Sequence, residues 1–394
     1  MRPEEDLLFS TARARMTIGN ADRIREAAGK QVDWIRLIQL ALQHETTALL
    51  CRNLQDVCPE AVPPDVLKPL AAHCEMQAAE ARDRAGELVC ILAALEDRGI
   101  FAITYKGPIL AQRLYGDLSL RGFSEHSDLD IMIRECDLVR AQNVILNQGY
   151  RLAYRKQPVL AAEARECART RRELHFRRER GGRRMLELQW RFMVRSARVQ
   201  GDPERFFRRL ETISLAGASV RSLPLEDYLL VLSLHATIHK WRKLKLICDI
   251  AEILLSPDVD WEYVLRVAGS LGLSRMVAIG VLLAEDPLEV VAPAGLTRRL
   301  KIDRTAHVLA IECRQSLLQE PDENWREAAE YKFLLRNRER PQDKARMFLG
   351  KHVLPRFTPD ERDRRLVAIP ESFAALYYFV RPVRMAWEKI TGRP

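Results

Sequence analysis

No run of about 18 apolar residues occurs anywhere in the 394-residue chain, so no membrane-spanning helix is expected. The opening Met1-Arg2-Pro3-Glu4-Glu5-Asp6 has neither the basic start nor the apolar core of a secretory signal. None of the eight cysteines (Cys51, Cys58, Cys74, Cys90, Cys136, Cys167, Cys248, Cys313) pairs as Cys-x-x-Cys, and Cys90 sits in the apolar pattern Leu88-Val89-Cys90-Ile91-Leu92. That argues against a disulfide scaffold and predicts reduced, mostly buried thiols in a cytoplasmic protein. Internal repeats are missing too, as is the His-Glu-x-x-His pattern of a metal-binding helix.

What is present reads as a folded chain with a substantial core. Hydrophobic residues make up 47% and charged residues 30%, which excludes global disorder and suits two or three domains. The formal net charge of +9, carried mostly by arginine, favours an anionic partner such as a nucleotide or a phosphorylated substrate. The basic residues are interleaved with acidic ones along the whole chain, which argues against nucleic acid as that partner.

Hydrophobic spacing divides the chain into three stretches. Residues 1–98 read as helical, with Trp34, Ile35, Leu37, Ile38, Leu40, Ala41 and Leu42, then Leu88, Ile91, Leu92 and Leu95, at helix spacing. Pro59 to Pro64 breaks these helices, and Gly99 follows as a C-cap. Residues 99–222 read as a small mixed α/β unit. A strand over Ile100–Tyr105 and a helix over Pro108–Tyr115 come first. A strand carrying Asp128 and Asp130 follows, then a helix from Leu138 to Gln148, then a hairpin of Glu173–Arg177 and Met185–Phe192 across Gly181-Gly182. The arginines around that turn (Arg177, Arg178, Arg180, Arg183, Arg184) read as a solvated tip, with a reach toward phosphate as the other option. Residues 223–394 return to helices, with an N-terminus at Asp258-Val259-Asp260-Trp261 and a charged, proline-punctuated connection over 321–365. The fold class expected is α+β.

The chemistry concentrates in Tyr105-Lys106-Gly107, Arg121 and Ser127-Asp128-Leu129-Asp130-Ile131-Met132-Ile133. Residues two apart on a strand share a face, so Asp128 and Asp130 converge while Leu129, Ile131 and Ile133 turn away. Two carboxylates suit Mg²⁺ (or Mn²⁺) brought with a nucleotide. Two metal ions about 4 Å apart clamp the entering and leaving oxygens of a transferring phosphorus, and a third carboxylate completes such a site. Glu187, alternating with apolar residues in Met185-Leu186-Glu187-Leu188-Gln189-Trp190, is the candidate, as a metal ligand or as a base on the acceptor hydroxyl. Spacing alone reads it equally as a solvent-facing strand residue. Gly107 permits close backbone approach before a helix whose N-terminus favours anions. Lys106, Arg121 and Ser127 are then the groups placed to meet the phosphates.

These residues resemble the nucleotidyltransferase superfamily, and within it a bacterial family found beside polysaccharide and peptide natural-product genes. The likeness rests on Lys106-Gly107, Leu114-Tyr115-Gly116-Asp117, Arg121 and Ser127-Asp128-Leu129-Asp130-Ile131. It continues through Asn147-Gln148-Gly149-Tyr150, Leu186-Glu187-Leu188-Gln189-Trp190 and His235, His239-Lys240-Trp241, Leu244 and Asp249, and so spans roughly residues 30–265. It implies a small mixed sheet with flanking helices, with Asp128, Asp130 and Glu187 as the acidic set. The chain departs from the wider superfamily in Lys106-Gly107, where many members have Gly-Ser, and in Gln189, where related sequences often place His before Trp.

The resulting expectation is a Mg²⁺-dependent, ATP- or other NTP-using transferase. It would move a nucleoside monophosphate to an acceptor hydroxyl of a small molecule or peptide and release pyrophosphate. Glycosyl transfer from a nucleotide-sugar and a non-catalytic, antitoxin-like partner-binding module are the alternatives. His235 and His239, at i and i+4 with Lys243 a turn further, read as packing or as a substrate-side wall of His239, Lys243 and Asp249.

Overall fold

The computed structural model describes residues 2–122, 128–155, 157–178, 184–191, 204–300, 302–319, 327–358, 361–367, 369 and 376–391. The chain opens with five helices: α1 (Pro3–Ser10), α2 (Ile18–Ala28), α3 (Trp34–His44), α4 (Thr47–Val57) and α5 (Pro64–Glu96). Asp33 starts α3 by accepting the Arg36 backbone N–H at 3.0 Å. α5 runs for 33 residues, about 50 Å at the usual helical rise, from a proline at its first position to a reversal at Gly99, where φ is +65°.

The mixed unit then interleaves strands with short helices. It comprises β1 (Ala102–Ile103), α6 (Pro108–Tyr115), β2 (Leu129–Ile133), α7 (Leu138–Asn147), β3 (Arg151–Leu152) and α8 (Ala164–Thr170). β4 (Glu173–Arg178), β5 (Arg184–Gln189), α9 (Glu204–Phe207), β6 (Glu211–Leu215) and β7 (Ala218–Ser222) complete it. Five strands form one sheet in the order β1-β2-β5-β4-β3, parallel only between β2 and β5. β6 and β7 form a separate hairpin that the sequence reading did not separate out. Its signal was there: Ala216-Gly217, both at positive φ, is a two-residue turn between alternating segments.

The two faces of the five-stranded sheet differ in kind. Leu129, Ile131, Ile133, Leu174, Phe176, Leu186 and Leu188 point to one side and pack on Leu88, Ile91 and Leu95 of α5 and Leu138, Ala141 and Ile145 of α7. Each such burial contributes on the order of 2 kcal/mol, and a one-residue slip of β5 would drive Glu187 into this layer, so the apolar face sets the register. The opposite face carries the polar side chains of interest, and at its edge Ile103, Tyr105 and Met132 join a larger core.

That larger core is built from both ends of the chain. Leu7, Ile24, Leu37, Leu50 and Leu54 pack in one cluster with residues of α10 (Leu225–Ile238), α11 (Leu244–Leu254), α12 (Trp261–Leu271), α13 (Ser274–Glu285), α14 (Ala294–Leu300) and α15 (Arg304–Leu317). Polar ties repeat the pattern. The Ala14 N–H donates to Glu252 Oε1 at 2.8 Å, and His44 bonds the Leu317 carbonyl at 2.8 Å.

One local expectation is revised and two are qualified. The 321–365 stretch is helical where described: α16 (Glu327–Asn337), α17 (Pro341–Phe348), α18 (Leu354–Phe357) and α19 (Glu361–Leu366) precede α20 (Tyr377–Thr391). Of the arginines flanking the β4–β5 turn, Arg177 is exposed, while two others are tied to α5. Arg178 and Arg184 ion-pair with Glu87, and Arg184 also with Asp83, on α5. Gly181, Gly182, Arg180 and Arg183 lie outside the described residues. All eight cysteines are free, five of them buried, but Cys90 and Cys136 are exposed.

Candidate active site

Asp130 is the centre of the polar face. Parallel pairing puts it opposite Glu187, and antiparallel pairing puts Glu187 opposite His175, so three strands present these groups side by side. Asp130 is buried, and its Oδ1 accepts from Lys106 Nζ at 2.9 Å and from Gln189 Nε2 at 2.8 Å. Thr104 Oγ1 donates to the Asp130 carbonyl at 3.0 Å, which ties the end of β1's segment to β2. Asp128 lies one residue ahead of β2 and is half-buried, beside Asp130 and Glu187.

Gln189 acts as the spacer between the acids. Its amide N donates to Asp130 and, at 2.7 Å, to Glu187 Oε2, while its carbonyl accepts the buried Tyr105 hydroxyl at 2.6 Å. A histidine here could be ionised, whereas an amide holds both carboxylates without titrating. A titratable ring is supplied from the next strand instead. His175 Nδ1 lies 3.4 Å from Glu187 Oε1, and its Nε2 lies 3.3 Å from Glu173 Oε1.

The electrostatics follow from crowding. Burial, then the neighbouring Asp130 charge, raises the Asp128 pKa. Burial together with Asp130 and Glu173 pushes Glu187 upward. Hydrogen bonding to Glu173, helped by the Glu187 and Asp128 charges, raises His175. Burial works against the Lys106 ammonium, but Asp130 overrides it and the lysine stays charged. Such crowding of carboxylates is what a bound cation could relieve. All three offer oxygen donors, the set that suits a hard divalent ion.

The phosphate-facing candidates separate into two groups. Lys106 is on the acids, and Gly107, with φ +62° and ψ −134°, turns the chain directly into α6. Only glycine takes that backbone without strain, and it leaves the N-terminus of α6 free of an overlying side chain. Arg121 corrects its expectation. Its buried guanidinium bonds Asp249 on α11 through Nε and Nη2, both at 2.8 Å, and Tyr115 donates to the same carboxylate at 2.9 Å. Arg121 thus fastens the segment ahead of β2 to the C-terminal helices rather than offering its fork to a ligand. Ser127 lies outside the described residues.

His235 and His239 meet edge-to-face, with ring centroids 4.5 Å apart. Burial, followed by Lys106, lowers both pKa values, and Lys245 adds to the effect. Both shifts favour neutral imidazoles at the end of α10. Lys243 is held elsewhere: its ammonium donates to the Gln43 carbonyl at 2.5 Å and lies 3.4 Å from Glu45. Asp249 is taken by Arg121, so His239 is left as the exposed member of the expected wall.

Residues 30–289 match the family described as uncharacterised nucleotidyltransferase. The chain belongs to this nucleotidyltransferase family. No curated protein and no solved structure matched it. The family match takes in the whole five-stranded sheet, α10 and α11, and so every residue discussed above. Membership supports nucleotidyl transfer as the class of reaction and a nucleotide as substrate. Among the described residues no helix is long and apolar enough to cross a membrane.

Reading the sequence missed Glu173 and His175, and gave no role to the Tyr105 hydroxyl or to Gln189 as a bridge. Glu173-Leu174-His175-Phe176 does alternate polar and apolar, as a one-faced strand should. Its partnership with Glu187 depends on strand register, which spacing within one strand does not reveal.

Proposed function

We propose that the protein is a Mg²⁺-dependent nucleotidyltransferase that moves a nucleoside monophosphate from an NTP to an acceptor hydroxyl on a small molecule or peptide, releasing pyrophosphate. The observation that carries this reading is the co-facial set of Asp128, Asp130 and Glu187, with Lys106 on Asp130. Asp128, Asp130 and Glu187 would hold the cation, which would supply positive charge to the phosphate oxygens when bound. With a cation held by Asp130, the Lys106 ammonium that now pairs with that carboxylate would be available to a phosphate oxygen, which would keep charge balanced on the buried face. The N-terminus of α6, which follows directly on Lys106-Gly107, favours the triphosphate there. Glu187, raised above the ordinary carboxylate range, is suited to take the acceptor proton at its carboxylate.

The test separates Asp128 from Asp130. Asp130→Ala would leave the Lys106 ammonium without its partner and disturb the fold as well as the chemistry. Asp128 is half-buried at the strand's end, so Asp128→Ala should fold normally yet lose turnover and weaken Mg²⁺-dependent NTP binding about a hundredfold or more (about 2.7 kcal/mol). Calorimetric titration of each NTP with and without Mg²⁺, on wild type and Asp128→Ala, reads this directly. Undiminished metal-dependent NTP binding in the variant would sink the assignment.

A further inference from the structure

We infer that Glu173, His175 and Glu187 form a second cation site, distinct from the Asp128–Asp130 pair, that takes a first-row transition ion of the Mn²⁺ type in preference to Mg²⁺. Three observations lead there. The donors lie on two paired strands and one face, with one ligand atom from each within 4.8 Å of the others. The Tyr154 ring stands edge-on to the His175 imidazole at 5.2 Å and restricts its orientation. Glu173 has one oxygen on Arg172 and His175, while its other, Oε2, is buried with no hydrogen-bond partner among the described residues. A buried carboxylate oxygen left bare is costly, and a cation is the partner that would satisfy it.

The donor set decides the metal. The two carboxylates suit Mn²⁺ as they suit Mg²⁺, but the imidazole nitrogen favours a transition ion, whereas Mg²⁺ holds to oxygen and water. His175 turns one ring nitrogen toward each carboxylate, and a bound ion would replace the proton on one of those nitrogens. Glu187 belongs to both sets, so the two cations would share one carboxylate. The inference stands without nucleotide and goes beyond the transfer reaction.

Mn²⁺ is titrated into the full chain without nucleotide, in a large excess of Mg²⁺, and bound ion is read by electron paramagnetic resonance. Wild type is expected to retain one Mn²⁺ per chain that Mg²⁺ does not displace, with magnetic coupling to an imidazole nitrogen. His175→Gln should lose that coupling and weaken Mn²⁺ binding about tenfold or more. Glu173→Gln, which keeps the side chain's size, should weaken binding while retaining the coupling. Asp128→Ala should leave the coupled ion in place, so failure of the transfer reading and failure of this one are told apart. Wild type without nitrogen coupling, or binding unchanged in both His175→Gln and Glu173→Gln, would overturn the inference.

Discussion

Arg121 shows how much a single residue's meaning depends on a partner far along the chain. In sequence it stands just ahead of the acidic motif and reads as a phosphate ligand. In the structure its planar fork meets Asp249, 128 positions later, in a fully buried pair. Arg121→Ala should cost about 3–5 kcal/mol, because Asp249 would be left buried and unpaired. The double variant Arg121→Met/Asp249→Leu should recover much of that loss, as read from urea midpoints. Equal stability of Arg121→Ala and wild type would show that the pair does not hold the segment. Asp128 and Asp130, by contrast, were legible because their relation lies within one strand, where a period of two fixes the shared face. Glu187 was half-legible: its alternation was visible, but its facing partner was not. Glu173 and His175 were beyond reach, since nothing local states which strand lies beside β5.

At the scale of elements, helices with sharp ends were read most closely. α6 has the bounds expected from the sequence because Gly107 and Gly116, both at positive φ, stop the helix on either side. The 321–365 stretch misled because its described prolines, Pro341 and Pro355, stand at helix starts rather than in open chain. His44 shows what joins the elements. Its Nε2–H donates to the Leu317 carbonyl, and its Nδ1 accepts the Leu244 N–H at 3.2 Å, so α3, α11 and α15 meet on one neutral ring. Protonating Nδ1 would set two donors against each other. Burial accordingly lowers the His44 pKa from 6.5 to about 4. The unfolded chain then takes up its proton first as pH falls. The stability His44 contributes is whole above pH about 6.5 and is lost on the way down to about 4, a change on the order of 3 kcal/mol. Urea midpoints at about pH 7.5 and about pH 5 should fall more steeply in wild type than in His44→Asn. Parallel slopes would remove His44 as the cause.

For the whole molecule, the layout of a sheet unit between helical flanks was readable from where hydrophobic period changes from helix-like to strand-like. That the flanks merge was not readable, because helix faces name no partner. Residues such as Leu7, Leu37 and Leu54 share one interior with Leu229, Ile250 and Leu309. The order of synthesis then matters. The first helices leave the ribosome long before the residues that cover them, and the roughly 250 intervening residues take about 10–50 s to make. Throughout that interval their apolar faces have only one another and whatever holdase is at hand. Stalled nascent chains ending near residue 220 should therefore be cut readily by protease within α1–α4, and resist only once α15 has emerged. Early protection would mean that the N-terminal helices fold unaided. Otherwise, the cell must tolerate an exposed hydrophobic layer for most of the time each copy is being translated.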